Sequence, residues 1–532
     1  MAVDYIVVGA GSAGCAVAAG LAAEPDTSVL LLEAGPRDRD PRVRVPAAAS
    51  ALWFGKLDWN YRTEPQSQLE GRRDTWPRGR VLGGSSSINA MMHVRGMDVD
   101  YDQWAAGGAT GWDAATMTRL FRRIEDDERG PAEHRGVGGP LRVEHLRDPR
   151  PLTRSFLAAC GELGIPEVED YHVEPDGCGM TMVNQRRGRR WSAADAFLDG
   201  LGSGPGSSLQ VRTGVEVQRV AIEDGRAIGV DVLVGGQRRF ARAEREVVVA
   251  AGAVATPPLL QRSGVGPADE LRSLGIDVVV DAPQVGENLQ DHVVAGMVAG
   301  TADGSLYGAD RDPRQLVEWV RHRRGPLTSN LAEAIAFVRS REGEVAPDIE
   351  LLAIPAPMKD HARVRYPRHG IAIGAILLRP RSRGRIRLAS IAPSAPPIID
   401  PRTFTDPEGD DLDRLADGLH TVQRLLTETS ALGGRLEELI DPPAPLTDRA
   451  AHIAHVRRTA QTMYHPVGTA RMGSDASAVV DPQLRVVGVQ GLRVADASVM
   501  PTLIRGHTNA PSIAIGVRAA ELISDRVAAA TG

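Results

Sequence analysis

One stretch, residues 4–33, constrains this chain more than any other. Asp4-Tyr5-Ile6-Val7-Val8 is a short apolar run that breaks into Gly9-Ala10-Gly11-Ser12-Ala13-Gly14. The small residues from Cys15 to Ala23 suit a helix, and Ser28-Val29-Leu30-Leu31-Leu32 is a second apolar run that ends on Glu33. Strand, G-x-G-x-x-G, helix, strand and acid stand in the order a dinucleotide site requires. Gly9 permits the tight turn. Gly11 lets backbone N–H groups approach a pyrophosphate at the helix N-terminus, and Gly14 lets helix and strand pack closely. Glu33 can accept from both hydroxyls of an adenosine ribose. These residues leave the choice between NAD and FAD open.

At 532 residues the chain exceeds what one core usually supports, so two domains or one large composite are expected. No apolar run reaches the ~20 residues of a membrane span, so no integral membrane segment is expected. A formal net charge of −6 gives no basic field, which argues against a nucleic-acid partner. Cys15, Cys160 and Cys178 are too few and too scattered for a disulfide framework or a zinc site. The first strand begins at residue 3 with no secretory pattern ahead of it, and the expected location is cytoplasmic.

Residues 34–75 read as loops, with a short extended piece at 58–62. Pro77 to Met92 is dense in Gly and Ser. It suits either close approach to a large flat ligand or a packed glycine loop. Helices are expected over 99–129, over 151–164 and from Ser192, a plausible N-cap. Alternation predicts strands over 209–220 and 227–249, the latter split by Gly235-Gly236. Glu246 to Ala251 has the β-branched character of an inner parallel strand. Residues 293–460 differ in texture. Helices at 314–323, 409–430 and 447–462 mix with extended pieces at 371–378 and 384–388. This reads as an α+β domain inserted into an α/β one. The last block returns to the first style, with a strand at 491–495 and a helix from about Ala510.

Two histidines stand out. His465 lies in Met463-Tyr464-His465-Pro466-Val467-Gly468, and His507 in Arg505-Gly506-His507-Thr508-Asn509-Ala510-Pro511. Both sit in Gly-bearing loops, and His507 stands just ahead of a helix N-terminus with its free N–H groups. The other eleven histidines read as structural or surface residues. His452 and His455 are three apart on a helix without a third ligand. They read as a solvated face, and no metal site is expected.

Five blocks, taken in order, resemble the glucose–methanol–choline oxidoreductases, and within them the choline dehydrogenase-like alcohol oxidoreductases. They are Gly9 to Gly14 with Glu33-Ala34-Gly35, Gly79 to Gly96, Gly252 to Gly266, Val285 to His292, and Tyr464 to Gly473 continuing through Val494-Ala495-Asp496-Ala497-Ser498 to Gly516. The resemblance implies FAD in a Rossmann-like FAD-binding domain, with an inserted α+β substrate domain over the isoalloxazine. The FAD-binding parts would be 1–150, 191–292 and 461–532, and the substrate parts 151–190 and 293–460. By the same carry-over, Gly9, Gly11, Ser12, Ala13, Gly14, Glu33 and Ala34 hold the adenosine diphosphate end. Arg80, Val81, Gly84, Ser85, Asn89, Ala90, Met91 and Met92 run along the flavin. Val217 lies near the adenine, and Ala251 and Gly252 line the diphosphate or adenosine end. Asp496 and Ala497 serve the ribityl–pyrophosphate region. Asn509 and Pro511 begin a helix whose N-terminus, with about half a positive charge, faces the flavin pyrimidine edge.

The resemblance also implies the chemistry, in which an alcohol becomes an aldehyde or ketone. His465 takes the hydroxyl proton, flavin N5 takes the hydride, and His507 orients the hydroxyl. The electrons pass to oxygen, a quinone or another redox carrier. Family members with FAD attached covalently in this loop carry a histidine where Ile88 stands, so non-covalent FAD is expected, with His93 as a weaker attachment candidate. Several choline-type members have Asn at the position of His507. The His–His pair is more similar to the sugar and aryl-alcohol members, and no cage for a quaternary ammonium is legible. A flavin-bearing lyase or light-driven decarboxylase on the same scaffold is the alternative reading.

Overall fold

The computed structural model describes residues 2–201, 207–392 and 394–531, with side chains described as far as residue 525. The chain opens with β1 (Ala2–Val8), α1 (Ser12–Ala22) and β2 (Val29–Glu33). Gly9 has φ +99°, and a Cβ there would lie 2.5 Å from the Ala250 carbonyl oxygen. At Gly14 a Cβ would lie 1.9 Å from the Gly9 carbonyl oxygen, so the turn and the start of α1 touch backbone to backbone. The single helix expected over 99–129 is two helices. α2 (Asp98–Ala106) and α3 (Ala114–Ile124) are parted by a turn in which Gly108 and Gly111 take positive φ. Asp113 then restarts the helix by accepting from the Thr116 N–H.

The elements that follow are α4 (Pro151–Glu162), β3 (Gly177–Met180), α5 (Ala193–Phe197), β4 (Leu209–Thr213), β5 (Val215–Glu223), β6 (Arg226–Val234), β7 (Gln237–Val249) and α6 (Gly252–Arg262). Ser192 caps α5 in a reciprocal pair with Asp195. Next come β8 (Val293–Thr301), β9 (Ala334–Val338), β10 (Ile349–Ile354), β11 (Gly370–Leu377), α7 (Asp410–Thr427), β12 (Leu436–Asp441), α8 (Arg449–Thr459), β13 (Gln461–Thr462), β14 (Leu492–Val494) and α9 (Asn509–Thr531).

The first sheet runs β4-β2-β1-β7-β6-β5, with β14 also on β7. β4, β2, β1, β7 and β14 are parallel neighbours, whereas β5, β6 and β7 form an antiparallel meander. β7 serves both parts. Its N-terminal half forms a hairpin with β6, and its end, Val247-Val248-Val249, is the fully buried inner strand expected. α1 lies along α9 at close range, where Gly20 faces Ala520 and Gly516 faces Ala13.

The second sheet is antiparallel throughout, in the order β12-β8-β11-β10-β9-β3, with β13 on β8. One face is covered by α4, α7 and α8, so that Ile349, Leu351 and Ala353 of β10 share a core with Leu415, Leu419 and Val422. Residues of the other face, such as Ile335, Leu352 and Ile376, pack with Met92 and Val94 of the glycine-rich loop of the first unit. β3 lies in a stretch, between the helices expected over 151–164 and from Ser192, for which the sequence predicts no element. Two of its four residues are glycine, and pairing with β9 forms it rather than propensity. Among the described residues, no helix is long and apolar enough to cross a membrane.

Candidate active site

A cavity of about 1240 Å³ lies between the two sheets. It exceeds the ~300–1,000 Å³ of common small-molecule sites, which leaves room for a dinucleotide and a substrate together. At one end it is lined by Gly9, Gly11, Ser12, Ala13, Glu33 and Ala34, with Val217, Ala251 and Gly252. Arg80, Gly84, Ser85, Asn89, Ala90, Met91 and Met92 line its length. Asp496, Ala497, Asn509, His465 and His507 also line it. Three sequence-predicted residues do not. Gly14 packs α1 on the turn, Val81 is buried with Val43, Leu52 and Leu57, and Pro511 is buried in the first turn of α9.

The starts of α1, α6 and α9 all border this cavity, so three helix N-termini with N–H groups that lack an intrahelical partner serve one space. The Ser12 hydroxyl donates to Asn509 Oδ1 at 2.7 Å and ties two of those starts together. Asp496 accepts from the Gly252 N–H at 2.8 Å and the Thr256 hydroxyl at 2.7 Å, which fixes the third. Glu33 accepts from the N–H groups of Ala10 at 3.0 Å and Gly35 at 2.8 Å, and burial pushes its carboxyl up to about 7. Trp59 and Tyr61 stack at 5.9 Å, and the Arg80 guanidinium lies 5.0 Å over Trp59; all three line the cavity. Sequence reading saw only an extended piece there. Converging N–H donors, close backbone approach and aromatic faces fit a dinucleotide with a flat ring.

The two histidines differ in what stands behind each. His292, just before β8, is wholly buried, and its Nε2 faces the carbonyl oxygens of Leu378 at 3.1 Å and Ile504 at 3.0 Å. Carbonyls only accept, so Nε2 carries the hydrogen. Burial, reinforced by His507, pushes the His292 pKa down to about 3, so the ring is neutral and its Nδ1 is an acceptor. That Nδ1 lies 2.9 Å from His465 Nδ1, which therefore donates. Among the described residues nothing bonds His465 Nε2, so a lone pair is left for the cavity. Burial, then the nearby His507, His292 and Arg78, which disfavour a second positive charge, hold the pKa of His465 well below the usual imidazole value. Its backbone N–H donates to Asp291 Oδ1 at 2.7 Å.

His507 is backed differently. Its Nε2 donates to both oxygens of Glu350 on β10, each at 3.1 Å, and Glu350 is wholly buried. The two imidazoles lie with ring centroids 4.7 Å apart. His292 and Glu350, which contact the two histidines, are candidate site residues that sequence reading did not assign. His292 closes the fourth motif block, a signal that was available. Glu350 lies on a strand that sequence reading did not delineate.

Two expectations change. His452 and His455 are buried rather than solvated: His455 Nε2 donates to the Gly296 carbonyl at 2.9 Å, and Arg458 donates to its Nδ1 at 2.8 Å. His93 bonds Glu125 at 2.9 Å, away from the cavity, so it is out of place as a flavin attachment point; Ile88 does line the cavity.

The chain matches the GMC oxidoreductase family over residues 3–294 and 380–516. It is 46% identical to an uncharacterized GMC-type oxidoreductase of Mycobacterium tuberculosis, covering 98% of this chain and 99% of that one. It is 39% identical to alcohol dehydrogenase [acceptor] of Pseudomonas putida, covering 98% and 96%, and to mitochondrial choline dehydrogenase of Homo sapiens, covering 99% and 90%. The crystal structure of pyridoxine 4-oxidase from Mesorbium loti superposes with a TM-score of 0.89 at 32% identity, covering 98% and 99%. With a mixed α/β fold and a cavity large enough for a dinucleotide, the chain belongs to the GMC oxidoreductase family and is an FAD-dependent oxidoreductase.

Proposed function

We propose that the protein oxidises the CH–OH group of a small alcohol to an aldehyde or ketone, with His465 as the base. FAD, when bound, supplies the hydride acceptor at its N5. The observation that carries this reading is the free lone pair of His465 Nε2. The His292–His465 hydrogen bond and the neutral state of both rings support it. His507, held by Glu350, is the group that orients the hydroxyl. A positioned base contributes roughly 10²–10⁴-fold in rate. FAD is bound without a covalent link, because Ile88 has no nucleophilic atom. We keep the same division of the chain: FAD-binding parts at 1–150, 191–292 and 461–532, and substrate parts at 151–190 and 293–460. Three free, buried cysteines agree with a reducing, cytosolic compartment.

The test is anaerobic flavin reduction with a panel of alcohols, followed by re-oxidation with oxygen or with a quinone dye. His465→Ala should stay yellow and lose substrate reduction by roughly 10²–10⁴-fold. Wild-type rates in that variant would remove His465 from the mechanism. An aldehyde-releasing cleavage without flavin bleaching would point to the lyase instead.

A further inference from the structure

The substrate face of the second sheet is built as three cross-strand rungs. Val294, Ile376 and Glu350 form the first, Gly296, Gly374 and Leu352 the second, and Val298, Ala372 and Ile354 the third. The first rung is the catalytic end, because Glu350 bonds His507 and β8 starts directly after His292. Four residues of strand separate Glu350 from Ile354, about 13 Å. The middle rung has two neighbouring glycines. A Cβ on Gly374 would lie 2.8 Å from Val294 Cγ2, and one on Gly296 would lie 2.6 Å from the Ile373 carbonyl oxygen. The space of those side chains is already taken by Val294 and by the Ile373 and Gly374 backbone, so the two strands pass close together and present a shallow trough floored by backbone beside Leu352; residues of the second and third rungs line the cavity.

No ionisable side chain belongs to the second and third rungs. Glu350 is taken up by His507 and does not line the cavity. Among the charged groups that line the cavity, Lys359 pairs with Asp441 at 2.6 Å, His361 with Asp74 at 2.9 Å and Arg363 with Asp360 at 3.7 Å, while Arg458 donates to His455 Nδ1 at 2.8 Å. A cation in the trough has no carboxylate to meet it, and a polyol has few partners for its hydroxyls, each of which loses water on entry.

Building on the alcohol-oxidation reading, we propose that the substrate is an uncharged primary alcohol whose unbranched apolar tail lies in this trough. Its hydroxyl faces His465 and His507, and its tail runs outward past Leu352 to the Val298–Ala372–Ile354 rung.

The test is kcat/KM for flavin reduction by ethanol, butanol, hexanol and octanol, with choline and glucose alongside. We expect roughly a 3- to 4-fold gain per added methylene until the tail leaves the third rung. Ala372→Phe should lower octanol turnover by about 10-fold or more and leave butanol within about 2-fold, since the added ring fills only the outer rung. FAD content reports whether that variant has folded. Ile354→Asp, which puts a charge on the same rung, repeats the test from the next strand. A flat chain-length series, or faster reduction by choline or glucose than by hexanol, overturns the trough. If no alcohol reduces the flavin, the alcohol-oxidation reading itself falls.

Discussion

The parallel part of the first sheet borders the cavity with glycine turns and helix starts, whereas the histidine end of the cavity is built from side chains. In the first, Gly9, Gly11 and the starts of α1, α6 and α9 present N–H groups to the cavity. Most of what matters there is the absence of a side chain, within a few residues of sequence. The histidine end is assembled from separate segments. His292, Glu350, His465 and His507 are brought together by strand pairing and loop packing across more than 200 residues. A backbone site is specified by a motif, whereas a side-chain site is specified by register. A related contrast holds between the two histidines. One is backed by a neutral imidazole and left as an acceptor, and the other is backed by a carboxylate.

This comparison can be broken at either end. The largest effect is expected at the backbone site. Gly14→Val forces a branched Cβ onto the Gly9 carbonyl, 1.9 Å away from the first atom added. It should cost about 3 kcal/mol or more and release FAD. The purified variant should be colourless with a lowered Tm, whereas acid precipitation of the wild type should free all its FAD into the supernatant. Bound FAD at wild-type stability in Gly14→Val would contradict the backbone account. The side-chain site should behave in the opposite way. His292→Ala should keep its flavin but lose roughly 10- to 100-fold in kcat, because the His465 Nδ1–H is left without its buried acceptor and the tautomer is no longer held. His292→Asn, which restores an acceptor, should recover part of that loss. If both variants change Tm but not kcat, His292 is merely structural.

The smallest effect is in the pH profile. His465 works as a base in its neutral form, and its folded-state pKa is held well below 6.5. The active form therefore persists as the pH falls through 6.5, and kcat/KM should decline only as the pH passes the depressed value. An acid limb centred at or above 6.5 would mean that His465 is more solvated than its burial implies.

The β1–α1–β2 unit was legible in sequence because its signal is local: an apolar run, a glycine turn and a small-residue helix within thirty residues. The meander β5-β6-β7 was legible for the same reason, through alternation and the Gly235-Gly236 turn. The break between α2 and α3 was missed because Trp104, Leu120 and Phe121 keep an apolar pattern on both sides of it, while the chain reverses at glycines with positive φ. β3 was missed because a Gly-Cys-Gly-Met strand has no propensity of its own. His452 and His455 were misread because a buried polar group is indistinguishable from a solvated one until its partner, here the Gly296 carbonyl, is known.

The sequence by itself determined the dinucleotide turn, the placing of the two histidines in Gly-bearing loops of the last block, and, through its spaced motif blocks, the family. Those features depend on residues close in the chain or on the order of short blocks. Only the tertiary structure decided that His292 holds His465 with a free Nε2 acceptor, that Glu350 stands behind His507, and that Gly296 and Gly374 pass close together to leave a backbone floor between Val294 and Ile354. Each of these is a contact between strands whose pairing is set by burial of the opposite face, and a register shift of one residue would turn Glu350 and Leu352 into the helix-covered core.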